Sequence, residues 1–180
     1  MWYLQLLLSA FPWLGPGIAV AAVLAVVWFV LRSRRTRLSK WLIASEALLI
    51  AWLVCYLSMT VSPNSGGFQF GEFRRYFFWN VQPPLNPFEF DLGGRLFNAL
   101  ALLPAGVLAV LTPGRRRLLW IGGALLLPVL AEFLQFLVPG FGRTAALMDI
   151  LDGWQGFVMG LLIGAVIQGV RMIVRSMRGR

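Results

Sequence analysis

Long apolar runs alternate with short basic segments along this chain. Five of the runs approach the roughly 20 residues that an α-helix needs to cross the hydrocarbon core of a bilayer. They predict helices over about residues 17–31, 41–61, 96–112, 118–138 and 153–174. Pro12, Gly15 and Pro16 interrupt the first run, so residues upstream of 17 are expected to contribute to that span.

The expected fold is therefore an all-α membrane protein, a bundle of five transmembrane helices that forms a single domain over residues 1–180. The connection between the second and third helices, residues 62–94, is too long for a simple turn and is rich in proline, glycine and aromatic residues. A loop of this length is usually functional or packed on the surface. We expect the aromatic side chains of this long outer loop to lie along the membrane interface.

Basic residues are distributed unequally between the two sides of the predicted bundle. Four lie on the side of the long loop, and twelve lie in the other connections or at the C-terminal end. Cytoplasmic loops carry the excess of Lys and Arg, so the chain is expected in the cell inner (cytoplasmic) membrane with its N-terminus outside and its C-terminus in the cytoplasm. The twelve are Arg32, Arg34, Arg35, Arg37, Lys40, Arg115, Arg116, Arg117, Arg171, Arg175, Arg178 and Arg180.

Composition narrows the chemistry further. Apolar residues make up 59% of the 180 residues and the mean hydropathy is +0.76, which favours lipid as the main solvent. The net charge of +9 lies mainly in the predicted connections, so anionic lipid, and not nucleic acid, is the expected partner. The lack of histidine excludes imidazole metal sites and histidine-dependent catalysis. The single Cys55 lies in an apolar run and is expected to act as a small hydrophobe.

Six of the seven acidic residues fall on the outer side of this topology. The exception is Glu46, near the cytoplasmic side, which is expected to reach headgroups or the arginine-rich loop by snorkelling. The outer six are Glu72, Glu89, Asp91, Glu132, Asp149 and Asp152.

Glu132 differs from the others because it lies about six residues inside the outer end of the fourth predicted helix. A carboxylate at that depth is costly unless it is neutral, paired or facing water, so it suggests a functional site. Gln135 shares its helix face one turn later, and Pro128, four residues earlier, is expected to kink the helix. The alternative is a protonated glutamate that is hydrogen-bonded between helices for packing alone.

The fifth predicted helix provides the natural partners for Glu132. At about 100° per residue, Asp149, Asp152, Gly156, Gly160 and Gly164 share one face. Glycines at four-residue spacing allow two membrane helices to approach closely, so this face is expected to meet another helix and to direct its acids inward. The alternative is that both aspartates only cap the positive end of the helix.

Two further polar residues lie at the same depth. Asn98 is near the outer end of the third helix, where it either joins the acidic group or forms an interhelical hydrogen bond without function. Arg143, in the short loop before the fifth helix, is expected to face the acids, and the alternative is a headgroup anchor.

These residues, in this order and spacing, resemble the VanZ-like membrane family over about residues 86–164. The resemblance rests on an NPF run, an NxxxxxPxG helix, an ExxQ pair, a GRTxxLxD segment and later glycines. Where the family usually has an asparagine, this chain has Gly153, and Asp152 or Gln155 is the candidate substitute. The family is named for a teicoplanin-resistance protein, so the resemblance implies a role in the cell envelope. The matching residues are Asn86 to Phe88, Asn98, Pro104, Gly106, Glu132, Gln135, Gly142 to Thr144, Leu147, Asp149, Gly156 and Gly160.

Three hypotheses about function follow. The first is a binding module that takes a lipid-linked cell-wall precursor, another envelope ligand or a glycopeptide, with no cofactor. The second is an enzyme acting on a lipid-linked substrate, with Glu132, Asp149 and Asp152 as candidate catalytic residues and Mg²⁺ or another divalent cation as a possible ligand. The third is a structural subunit that packs through its glycine face against another membrane protein. The expected ligand-binding residues are Asn98, Glu132, Gln135, Arg143, Asp149 and Asp152.

Overall fold

The structure, a computed structural model, describes residues 10–63, 77–81, 94–112, 114 and 116–178. Within these residues it has five α-helices, and all five are long and apolar enough to cross a membrane. This confirms the predicted all-α membrane fold. Glu72, Glu89, Asp91 and the run 86–88 lie outside the described residues. The helices are α1 Leu14–Arg35, α2 Lys40–Thr60, α3 Gly94–Leu111, α4 Arg116–Leu137 and α5 Leu147–Arg178.

The five helices alternate in direction, which gives the bundle two chemically different ends. The cavity end is where α1, α3 and α5 begin and where α2 and α4 finish. The basic end is the opposite one, and it carries most of the described arginines. Described basic residues at the basic end are Arg32, Arg34, Arg35, Arg37, Lys40, Arg116, Arg117, Arg171, Arg175 and Arg178, against Arg95 and Arg143 at the cavity end.

Helix α1 begins at Leu14, earlier than the proline and glycine pattern predicts. Pro16 lies in the first turn, where backbone N–H groups have no partner within the helix, so its missing donor costs nothing. The first turn of the helix is closed by a hydrogen bond from the N–H of Gly17 to the carbonyl of Trp13 at 2.8 Å. Glycine is required at 17 because a Cβ there would lie 2.2 Å from the Ser58 hydroxyl of α2.

Helix α5 begins at Leu147 instead of near residue 153, so Asp149 lies in its first turn and Asp152 in its second. Gly153 was interpreted as the start of the helix, but it is an interior position. A Cβ at 153 would lie 3.1 Å from Leu102 and 3.6 Å from Pro128, so a small residue is needed where α5 meets α3 and α4.

The glycine face of α5 packs directly on α3. A Cβ at Gly156 would lie 1.8 Å from the carbonyl oxygen of Ala99, and one at Gly160 would lie 2.0 Å from that of Leu103. At Gly164, one turn further on, the approach is looser, with the Val110 side chain at 2.9 Å and the carbonyl oxygen of Val107 at 3.0 Å from the added Cβ. The predicted close helix contact is thus confirmed, and α3 covers the face that the third hypothesis assigned to another protein.

Two prolines interrupt the backbone ladders inside the bundle, Pro104 in α3 and Pro128 in α4. A proline within a helix removes one donor and disturbs the carbonyls of the preceding turn, and in lipid a neighbouring helix must satisfy them. In both helices a tryptophan of a neighbouring helix adds a hydrogen bond in that turn. The indole N–H donates to the carbonyl three residues before the proline, Trp52 to Ala101 at 2.6 Å and Trp154 to Leu125 at 2.8 Å.

Glu46 is buried inside the bundle and does not snorkel to the surface. Its side chain is fully buried between α1 and α2, and one carboxylate oxygen accepts hydrogen bonds from the indole of Trp28 at 3.1 Å and the guanidinium of Arg32 at 3.4 Å. Glu46 does reach the first arginine of the predicted basic loop. It does so within the hydrophobic interior, because Arg32 belongs to the last turns of α1.

Candidate functional site

A polar cavity of about 290 Å³ opens at the cavity end of the bundle. All five helices or their flanking residues contribute to its walls, because α1, α3 and α5 begin here while α2 and α4 end here. Eight of the twelve lining residues are charged or carry an amide or hydroxyl group, and two of the other four are phenylalanines. The lining residues are Phe11, Tyr56, Met59, Thr60, Phe97, Asn98, Glu132, Gln135, Gly142, Arg143, Thr144 and Asp149.

Arg143 supplies the positive charge of the cavity. It lies in the α4–α5 connection, where a 3₁₀ turn at Pro139–Phe141 and a left-handed Gly142 (φ 65°) return the chain toward the bundle. Its Nε donates to the carbonyl of Ser62 at 2.6 Å, and its guanidinium stacks over the ring of Phe11. Burial lowers the pKa of the Arg143 guanidinium, and the nearby carboxylates of Glu132 and Asp149 oppose that effect.

Asp149 is held by an amide of the neighbouring helix. The Nδ2 group of Asn98 donates to the Asp149 carboxylate at 2.7 Å, which joins α3 to α5 directly. The close approach of Gly156 to Ala99 brings these two helices near enough for the bond. Asp149 also lies in the first turn of α5, where the helix dipole favours a negative charge.

Glu132 and Gln135 bind the ends of neighbouring segments while they line the cavity. The Glu132 carboxylate, only 4% exposed, accepts the backbone N–H of Ala146 at 2.8 Å. Gln135 donates to the carbonyl of Thr60, the last residue of α2, at 2.7 Å. Both residues therefore position the walls of the cavity. Neither the functional-site hypothesis nor the packing alternative predicts this role.

The same connection carries the small amount of strand in the described residues. β1 (Phe77–Phe78) pairs in parallel with β2 (Ala145–Ala146), which follows directly on Thr144. The pairing joins part of the long loop to the segment that Glu132 holds.

The structure does not bring Asp152 into the cavity. Its carboxylate forms a two-point ion pair with Arg95 of α3, with both N–O distances at 3.0 Å, and is 1% exposed. Asp152 and Gln155 instead line a separate, mainly apolar groove along α5. Neither one therefore replaces in the cavity the amide that Gly153 lacks. The other five expected residues, Asn98, Glu132, Gln135, Arg143 and Asp149, line the same cavity.

Several lining residues were not singled out from the sequence. Phe11 and Phe97 stack with ring centroids 5.4 Å apart, and Phe97 is 37% exposed. Tyr56 and Thr60 face the same space from the last turns of α2. The signal that was available in the sequence is their depth in the membrane, because α2 ends on the side where α3 begins and where Asn98 lies. Their residue types alone gave no signal of a site, since apolar and hydroxyl residues are common in membrane helices.

Groups of three or more Asp, Glu or Cys side chains that are arranged to hold a metal ion are absent from the described part of the chain. The metal-dependent enzyme hypothesis gains no support from this geometry and stays a prediction.

No protein-family model, curated protein or solved structure matches this chain. The resemblance to the VanZ-like family therefore stays a prediction from motifs. The geometry of the cavity is the basis on which its function is inferred.

Proposed function

We propose that this chain is an integral membrane protein that binds the polar head of a lipid-linked envelope ligand in the cavity. The observation that carries the proposal is the convergence of Arg143, Glu132, Asp149 and Asn98 on one cavity, although up to 51 residues separate them in sequence. Polar and charged groups at membrane depth mark substrate or ligand sites by default. Here they line a concave cavity, as ligand-binding groups do.

The charges of the cavity define the kind of head that fits. The Arg143 guanidinium suits a phosphate or carboxylate, because its planar fork donates two parallel hydrogen bonds. Glu132 and Asp149 suit an amine or sugar hydroxyl group. A ligand that carries both an anionic group and an amine or hydroxyl group complements the cavity best.

The size of the cavity separates the ligands considered. At about 290 Å³ it lies at the small end of the roughly 300–1,000 Å³ of ligand sites. It therefore holds a headgroup or one sugar unit, and only a fragment of a whole glycopeptide. The stacked pair of Phe11 and Phe97 gives the cavity an apolar wall, which suits a ligand whose remainder is a lipid chain.

The proposed location is the cell inner membrane, with the N-terminus and the cavity outside and the C-terminus in the cytoplasm. Support comes from the described basic residues, ten of which lie at the basic end and two at the cavity end. An excess of arginine and lysine marks cytoplasmic loops. A cavity on the outer face would meet envelope precursors after they have crossed the membrane.

The VanZ-like resemblance extends the proposal to teicoplanin resistance. Its NxxxxxPxG, ExxQ and GRTxxLxD elements lie far apart in sequence, and their polar members line the same cavity. This agreement supports a shared function for those residues. Binding a lipid-linked cell-wall precursor would give such a protein access to the step that a glycopeptide blocks.

Native mass spectrometry of the full chain, extracted in mild detergent from envelope membranes, tests the proposal. The parent protein should retain a lipid-linked species. Arg143→Gln and Asp149→Asn should lose most of it, because each removes a charge from the cavity. Arg34→Gln is the matched control, since it removes the same charge from an exposed residue at the basic end.

Circular dichroism melting identifies variants that fold as the parent does, and Arg143→Lys, which keeps the charge but not the fork, should retain part of the ligand. Equal ligand retention by parent and Arg143→Gln would exclude the cavity as the binding site. Teicoplanin survival of cells that carry the same variants separately tests the resistance proposal.

A further inference from the structure

A second cavity lies at the basic end of the bundle, between the start of α2 and the last turns of α5. Its volume is about 570 Å³. Gln168, Arg171 and Arg175 line it from α5, where spacings of three and four residues place them on one helix face. Two guanidinium groups and an amide thus face the same space.

The two arginines carry uncompensated positive charge. Among the described residues, ion pairs join Arg32 to Glu46 and Arg95 to Asp152, and none involves Arg171 or Arg175. The Arg171 guanidinium lies 5.2 Å from the ring centroid of Trp41, which orients it without neutralising it. An anion is therefore the expected occupant of this cavity.

The first residues of α2 add neutral donors to the same cavity. Ser39 precedes the 21-residue helix and its side chain makes no capping hydrogen bond, so its hydroxyl group is available. The first backbone N–H groups of a helix lack partners within it, and the helix dipole is positive there. Ser39 and Trp41 line the cavity together with the two arginines.

The remaining wall and the depth of the cavity indicate a lipid. Leu42, Leu111 and Met172 supply apolar surface beside the cationic groups. The 32 residues of α5 span about 48 Å at 1.5 Å per residue, more than the roughly 30 Å of hydrocarbon. The turns that carry Arg171 and Arg175 therefore extend into the headgroup layer.

From this arrangement we infer that the cavity at the basic end is a binding site for the phosphate headgroup of an anionic phospholipid. The guanidinium groups of Arg171 and Arg175 bind the phosphate oxygens, the Ser39 hydroxyl adds a neutral hydrogen bond, and the apolar wall contacts the upper acyl chain. The site is separate from the cavity of the proposed function and does not depend on it.

Native mass spectrometry of the full chain, titrated with phosphatidylglycerol or with phosphatidylcholine of equal chain length, tests the inference. The parent should bind its first phosphatidylglycerol more tightly than phosphatidylcholine. The double variant Arg171→Gln/Arg175→Gln should weaken that first binding by about tenfold or more, since it removes two charge-assisted contacts. The matched control, Arg34→Gln/Arg35→Gln, removes two exposed arginines at the same end and should change it less than about twofold.

A lysine double variant and a displacement by phosphate complete the test. Arg171→Lys/Arg175→Lys retains the charge and should bind at an intermediate level, which separates a site from a loss of folding. An equal loss in both glutamine double variants would show a non-specific charge effect and overturn the site. Displacement of phosphatidylglycerol by millimolar inorganic phosphate would assign the cavity to a soluble anion and overturn the lipid assignment.

Discussion

Gly156→Ala should separate α3 from α5 and disturb the cavity from a distance. The new Cβ would lie 1.8 Å from the carbonyl oxygen of Ala99, whereas ordinary contact needs about 3.4 Å, so the helices must part by about 1.5 Å. The obstacle is backbone, which has no alternative rotamer. We expect a loss of about 3 kcal/mol, the upper end of the range for overpacked cores.

The same displacement should break the hydrogen bond of the cavity that joins these helices. The bond from Asn98 to Asp149 measures 2.7 Å, and hydrogen bonds are lost beyond roughly 3.5 Å. Ligand retention should therefore fall in Gly156→Ala even where the protein still folds. Position 156 is absent from the cavity lining, so the effect would act through helix spacing.

Thermal unfolding by circular dichroism in detergent measures the first effect, and native mass spectrometry measures the second. Gly169→Ala is the matched control on the same helix, because nothing lies within 4 Å of its added Cβ. It should be neutral or gain about 0.5–1 kcal/mol from helix propensity. A Gly156→Ala protein as stable as Gly169→Ala would refute the close packing of α3 on α5.

Three other outcomes are expected. Glu132→Gln keeps an acceptor for the N–H of Ala146 and should melt close to the parent, whereas Glu132→Ala leaves that group unpaired and should cost about 1–3 kcal/mol by the same measurement. Arg32→Gln should lower the free energy of unfolding more than Glu46→Gln in denaturant titrations. The first variant leaves the fully buried Glu46 carboxylate unpaired, whereas the second leaves Arg32, which is 16% exposed. Equal losses of stability would contradict the buried pair. Accessible labelling of a tag at residue 1 and protection of one at residue 180 in intact cells would support the proposed orientation, and the reverse pattern would place the cavity on the cytoplasmic side.

Hydropathy was sufficient to predict the number of spans and the end at which the polar residues gather, because both depend on position along a helix axis. The direction in which a side chain faces depends on the neighbouring helices, and the sequence contains that information less directly. Glu46 shows the difference, since its depth was predicted but its burial against Trp28 and Arg32 was not.

Asp152 shows the same limit in the site itself. It shares a helix face with Asp149 at about 60° of separation, which cannot decide whether both side chains enter one cavity. The outcome depends on Arg95, one turn before Asn98 on α3. Arg95 pairs with Asp152, while Asp149 accepts a hydrogen bond from the Asn98 amide. The predicted start of α5 near residue 153 is wrong for a related reason, because the role of Gly153 depends on its contacts with Leu102 and Pro128 of neighbouring helices.

The two indole hydrogen bonds at the helix prolines limit how the bundle can move. Each bond holds only while the tryptophan stays level with one carbonyl of the adjacent helix. Trp52 of α2 binds a carbonyl of α3, and Trp154 of α5 binds a carbonyl of α4. A slide by one helical turn, about 5.4 Å, would break both bonds and leave the two indole N–H groups without these acceptors in hydrocarbon. Axial sliding of α2 against α3, or of α5 against α4, therefore costs one of these hydrogen bonds, which disfavours piston-like helix motion as a route for ligand exchange.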